Sequence, residues 1–388
     1  MPSSKDYIKE FADVSFKERP FGDADALALC EVIYMPLEKV VSSSFEDEET
    51  DFSYACNELF DLRGNEHKPL GLMISKKTSE VLMAMAETKR FGEMKIAAVE
   101  EVFSTEPALQ YCAGTFVLPT GDIAVIFRGT DDSIAGWVED LDLIVNEGTP
   151  AYDLALNHLE SAAAKYSGKI YIAGHSKGGN IALRTAIKCS EETRGRIVSV
   201  YNYDGPGYSN YHLFNTPAYT ELLPGYRHYV PSSSMVGMML CHDYDYKAVK
   251  SSRLTGAFQH DLGTWQIKDG EFVVKDDTNF MAKLTDEWLA SLVDSLSQSN
   301  IAAVGSVVSA VTQATGVLTL TEFSKHLKSA VGGAVSAYKE IDPQIKQDFW
   351  DAFSGAGKLL LKAARNAKDN AADRAADIIA ARVVTANG

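Results

Sequence analysis

The sequence predicts an α/β protein: a three-layer fold with a mostly parallel central sheet, followed by a helical C-terminal extension. Three observations carry the prediction. Short apolar runs rich in β-formers recur along the middle of the chain with helically spaced segments between them, so successive strands need crossover connections and lie parallel. One such run, Ile170-Tyr-Ile-Ala173, passes through Gly174-His-Ser176-Lys-Gly178 straight into a helical pattern with Ile181, Ala182, Leu183, Ala186 and Ile187. Lastly, 46% hydrophobic and 23% charged residues among 388 make an ordinary globular composition, enough for one large domain with an extension, or for two.

Residues 1–20 are polar and mixed in charge, and are expected as an N-terminal arm on the surface of a main domain at 21–294. The stretch from Asp23 to Tyr34 reads as a capped helix with an apolar face, ending near Pro36. The acidic run from Glu46 to Asp51 reads as a solvated loop rather than a metal site, because neighbouring carboxylates in a loop rarely converge on one ion. Leu72, Val81, Leu82 and Met85 then return at helical spacing. The runs 111–118 and 123–128 form a hairpin, since Pro119-Thr-Gly-Asp122 stands between two β-rich segments. Phe127-Arg-Gly-Thr130 leads through a loop into an amphipathic run with Ile134 and Trp137. A helix over 151–166 precedes the strand that ends at Ser176. Strands at 196–203, 226–231 and 246–250 follow, and a hairpin around Asp269-Gly270 closes the domain.

Beyond about Ser295 the composition changes, so 295–388 is set apart as an Ala-rich helical extension. Residues 296–321 carry no charge and are long enough to span a bilayer, but their hydroxyls and Gln313 make a poor hydrocarbon segment. Trp350, Phe353, Leu360 and Leu361 line one side of the tail, which suits packing on the domain, on a protein partner or on a second copy. A formal charge of -16 argues against nucleic acid and anionic membranes as partners. Five scattered cysteines and a first segment without an apolar core point to a reducing compartment: a cytoplasmic protein with no stable membrane insertion.

The chemistry centres on Ser176. A strand that turns at once into a helix leaves its corner residue strained, so small neighbours are required on both sides, and Gly174 and Gly178 supply them. Such a corner lifts the hydroxyl clear of the sheet and aims the N–H of Lys177 at the place where an oxyanion would form. Ser is also a favoured helix N-cap, which is the plainer reading of the same residue.

Phe127-Arg-Gly-Thr130 with Trp137 and Asp140-Leu141, followed by Gly174-His-Ser176-Lys-Gly178-Gly179, resembles the lipase class 3 branch of the α/β-hydrolases. Tyr203-Asp204-Gly-Pro-Gly207, Ser234-Met-Val-Gly237 and Gln259-His260-Asp261 before Trp265 bring it nearer to an uncharacterised bacterial lipase-like subfamily. The resemblance covers about residues 20–290. It implies Thr130 and the Lys177 N–H as oxyanion donors, although Thr130 also suits an N-cap for the helix at Ile134. Fold order then asks for a late histidine: His260 is chosen, with His242 the competitor and His228 too early. The acid departs from the pattern. Where the family carries D-x-V-P, this chain has His228-Tyr-Val-Pro231. Asp204, one strand earlier, is the replacement expected; Asp243 and Asp245 are the alternatives, and a plain turn residue is the other reading of Asp204.

The resemblance implies a serine hydrolase of carboxylic esters, lipase- or esterase-like, acting on a small-molecule or lipid acyl ester through an acyl-enzyme on Ser176, with no metal or organic cofactor. The same nucleophile would serve an acyltransferase or an amidase. The missing D-x-V-P acid leaves open a catalytically inactive scaffold used as a protein-interaction module. Substrate choice is expected to fall to the N-terminal helix and the aromatic loop 208–224, as covering elements.

Overall fold

A computed structural model describes residues 2–63, 78–105, 108–131, 149–234, 236–243, 245–253 and 256–275, together with Ser133, Gly136, Glu139 and Pro343. The expected extension at 295–388 lies, Pro343 apart, outside the described residues, as do Leu72, Ile134, Trp137, Asp140 and Leu141.

The strands are β1 (Thr50–Asp51), β2 (Lys95–Thr105), β3 (Ala108–Val117), β4 (Ile123–Phe127), β5 (Ile170–His175), β6 (Ile197–Tyr203), β7 (Tyr226–Pro231), β8 (Lys247–Val249), β9 (Ile267–Lys268), β10 (Glu271–Phe272) and β11 (Val274–Lys275). Nine of them form one sheet in the order β1-β2-β3-β4-β5-β6-β7-β8-β11. The five strands from β4 to β8 pair in parallel, as crossover helices require. The sheet is nevertheless mixed rather than mostly parallel. β1, β2 and β3 join it as an antiparallel wing, and β11 pairs antiparallel with β8 at the other edge. The reason is connection length: β3 and β4 are joined by a short turn, and β2 ends three residues before β3 begins, so neither pair has the chain needed for a crossover. The expected hairpin has the register Val117↔Ile123.

β4 and β5 are buried along their whole length, which is why their sequences are continuous apolar runs. Their alternate side chains feed two cores. Ile123, Val125, Phe127, Ile170 and Ile172 pack under the helices Pro150–Lys165 and Lys177–Lys188. Ala124, Ile126, Tyr171, Ala173, Tyr201 and Tyr203 pack on the other face, with the helix Asp23–Val32 and the residues before it.

The first twenty residues correct the expected surface arm. Ser4–Glu10 is a helix, and Tyr7, Ile8 and Phe16 are buried in the core. Polar positions hide the reason in the sequence, because several of them are internal: Ser4 Oγ donates to Glu31 at 2.7 Å and Tyr7 Oη to Asp25 at 2.8 Å. Arg90 completes this brace, holding both oxygens of Asp25 at 2.8 and 2.7 Å while the two side chains stay closed to solvent. Among the described residues no helix is long and apolar enough to cross a membrane. All five cysteines are free, and all but Cys241 are buried.

Candidate active site

β5 ends at His175, and the next helix begins at Lys177, so Ser176 is the whole of the turn between them. Its φ of 57° and ψ of -131° are costly for a residue with a Cβ, on the order of 1–3 kcal/mol. Ser176 N donates to Tyr203 O at 3.0 Å, and Gly179 N donates to Ser176 O at 2.8 Å; these bonds hold the corner against β6 and the helix. The glycines are needed for approach rather than for freedom. A Cβ on Gly174 would overlap the Gly178 carbonyl, and one on Gly178 would overlap the Phe127 carbonyl. Ser176 itself is only half-buried, unlike His175 and Lys177 on either side of it.

Asp204 follows β6 immediately and is, like Ser176, one of five described non-glycine residues with positive φ, here 52°. That turn sends its carboxylate into the protein, where it is fully buried. Oδ1 accepts hydrogen bonds from Ser234 Oγ and, at 3.0 Å, from Gly237 N. Oδ2 lies 2.6 Å from His260 Nδ1. With Nδ1–H donating to the carboxylate, His260 keeps its Nε2 lone pair as a proton acceptor, the tautomer that a general base needs.

The loop that carries His260 is pinned at several points. Trp265 Nε1 donates to Gln259 O at 2.8 Å, and Ser233 N donates to Gln259 Oε1 at 2.9 Å. His175 adds a further tie. Its Nε2 lies 2.9 Å from the His260 carbonyl and must donate to it, so its Nδ1 accepts from Tyr34 Oη, also at 2.9 Å. Burial, and secondarily the nearby His260, hold the His175 imidazole well below its ordinary pKa, so it stays neutral in this role. The two imidazoles lie 4.4 Å apart between centroids, which brings the late loop directly against the Ser176 corner.

The Phe127-Arg-Gly-Thr130 loop passes the same corner. A Cβ built on Gly129 would overlap Tyr34 Oη and the His175 carbonyl and would lie 2.9 Å from Ser176 Cβ. Thr130 follows it and is half-buried. Lys177, expected only as a backbone donor, also has a buried side chain: Nζ lies 2.5 Å from Glu139 Oε2 and 2.6 Å from Gln110 O. Thr149 Oγ1 and Gln110 N donate to the Glu139 carboxylate in turn, at 2.5 and 2.9 Å. The brace ties the helix that follows Ser176 to β3 and to Glu139 in the segment after Thr130.

The other candidates point elsewhere. Asp243 Oδ2 accepts from Tyr219 Oη at 2.5 Å, and its Oδ1 accepts from Asp245 N at 2.9 Å. His242 Nδ1 donates to Leu240 O at 3.0 Å. His228 is enclosed beside Tyr226 and Tyr246, and burial pulls its pKa down to about 4. Among the described residues no group of three or more His, Cys, Asp or Glu is placed to hold a metal ion. Tyr34, His175, Glu139 and Ser234 escaped sequence reasoning. Each acts through a partner far along the chain; His175, inside the Gly-X-Ser-X-Gly stretch, and Ser234, inside Ser234-Met-Val-Gly237, stood where a signal existed.

A mixed sheet with a parallel centre, helices on both faces, and a serine corner with a carboxylate–imidazole pair beyond the ends of the neighbouring strands together define an α/β fold. The chain belongs to the Mbeg1-like family, whose model matches residues 85–308. Among solved structures it is similar to the Rhizomucor miehei lipase in its propeptide complex, at 16% identity over 66% of this chain and 74% of that one, with a TM-score of 0.34. Lipase II from Rhizopus niveus matches at 18% identity over 48% and 75% of the two chains, with a TM-score of 0.31. The M37 lipase matches at 14% identity over 55% and 67%, with a TM-score of 0.32. No curated protein matches the chain.

Proposed function

We propose that this protein is a serine hydrolase that cleaves carboxylic esters through an acyl-enzyme on Ser176. The observation that carries the reading is the 2.6 Å contact between Asp204 and His260, on a loop packed against the strained Ser176 turn. In the reaction, His260 Nε2 takes the Ser176 proton as Oγ attacks the acyl carbon. Asp204 holds the imidazole in the right tautomer and stabilises its cation. The Lys177 N–H and Thr130 stabilise the tetrahedral oxyanion; one such donor is worth roughly 2.7–4 kcal/mol of barrier in a well-measured case. His260 then returns the proton to the leaving alkoxide, and water activated by the same imidazole releases the acid and regenerates Ser176.

Labelling with a fluorophosphonate tests this directly. The native protein is expected to label at Ser176, and Ser176→Ala to abolish both labelling and turnover of p-nitrophenyl esters. Labelling that persists in Ser176→Ala, or a native protein inert to the probe and to every ester of the series, removes the proposal.

A further inference from the structure

A hollow of about 480 Å³ lies beside the segment that follows Gly237, lined by Tyr211, Phe214, Tyr219, His242, Asp243 and Asp245. Its construction is specific. The Tyr211 and Phe214 rings meet at 6.1 Å and 52°, and Phe214 and Tyr219 at 5.2 Å and 79°. Rings turned across one another in this way make an aromatic wall, with Tyr211 exposed at its front, Phe214 half-buried and Tyr219 buried behind them. Tyr211 is 45% exposed, so core packing does not account for it. Tyr219 Oη donates to Asp243, which places negative charge beside the phenol and enriches its ring in electron density. Burial and then Asp243 raise the Tyr219 hydroxyl far above its ordinary pKa, so it remains a donor throughout the working range. Asp245 is exposed, and no Lys or Arg is among the described residues that line the hollow.

Aromatic faces together with two carboxylates select a definite chemistry. An apolar tail would strip water from the carboxylates without return. A small hydrated metal ion needs a converging oxygen shell, and the rings offer none. A weakly hydrated organic cation is satisfied by both, through cation–π contact and through charge. The segment that leads into the hollow also touches the candidate acid. Tyr208 and Cys241 exchange backbone hydrogen bonds at 2.8 and 2.9 Å, and Gly237 N, in the same segment, donates to Asp204 Oδ1 at 3.0 Å.

We propose that this hollow binds an organic ammonium group and, resting on the hydrolase reading above, that the ester substrate carries one. The first test is calorimetric titration of the full chain with tetramethylammonium chloride at low salt. Saturable binding is expected, weakened at least fivefold in Tyr211→Ala and in Asp245→Asn, both at exposed positions, and at least tenfold tighter than for the neutral isostere tert-butanol. No saturable binding, equal binding of tert-butanol, or binding unchanged in both variants overturns the site. The second test compares a choline ester with the 3,3-dimethylbutyl ester of the same acid. A preference of fivefold or more in kcat/KM that disappears in Asp245→Asn is expected, and equal kcat/KM for the two esters overturns the substrate assignment. A chain that binds tetramethylammonium, cleaves neither ester and ignores the fluorophosphonate keeps the cation site and loses the hydrolase reading, so the two failures are distinguishable.

Discussion

Two carboxylates, Asp25 and Asp204, lie closed to water in different parts of the molecule, and their partners separate their uses. Asp25 is held at both oxygens by Arg90, and Arg90 also donates to the carbonyls of Val14 and Arg19 at 3.0 and 3.1 Å. A guanidinium does not give up its proton at any pH a protein meets, so that pair works only as a brace. Asp204 faces an imidazole, a side chain that can both accept and donate a proton, and its own backbone is strained to reach it. The comparison teaches that burial alone does not mark a functional pair. A partner able to exchange a proton and a strained turn on the supporting strand make Asp204 the better candidate.

The largest expected effect lies on the titratable side. Asp204→Asn should lower kcat by roughly 10⁴-fold, because the imidazole loses the partner that sets its tautomer. Asp243→Asn should leave kcat for p-nitrophenyl esters close to native. Steady-state kinetics on the two variants decide the matter, and full activity in Asp204→Asn would move the acid elsewhere. On the brace side, Asp25→Asn should cost about 3–5 kcal/mol of stability by leaving Arg90 buried and uncompensated. The rate of fluorophosphonate labelling of the folded fraction should not change. Urea unfolding reads the first quantity, and an unaltered midpoint would show that the pair contributes little.

A smaller effect sharpens the same contrast. Glu31 shares the brace region, and burial lifts its carboxyl from 4.5 to about 8, so it is neutral in the folded protein near neutrality. The native state therefore binds more protons than the unfolded chain between these values, and stability falls as pH rises through that interval. The contribution is fully present below about pH 4.5 and lost as pH passes about 8. Glu31→Gln should flatten that slope in a series of thermal melts at different pH. A slope unchanged by the substitution would assign it to other groups.

What was legible in the sequence was local. The turn at Pro119–Asp122, the helix after Ser176 and the apolar runs of β4 to β7 all follow from neighbours within a few residues. β2 was missed because Ala97-Ala-Val-Glu-Glu101 interrupts its β-formers without a period-2 alternation, and its strand state comes from pairing with β3. The surface arm was misjudged for a related reason. Polar residues read as exposed unless their buried partners, Glu31 and Asp25, are known.

By itself the sequence determined the serine corner, because steric exclusion around Gly174 and Gly178 is settled by the residues beside it. It also determined the parallel centre of the sheet, through the helices that separate the strands. Only the tertiary structure brought Asp204, of three candidate aspartates, against His260, of three candidate histidines. That pairing depends on a backbone turn with positive φ and on a contact between residues 56 apart. Neither leaves a periodic trace along the chain, since a side chain's direction at a strand end is decided by what the rest of the fold packs against it.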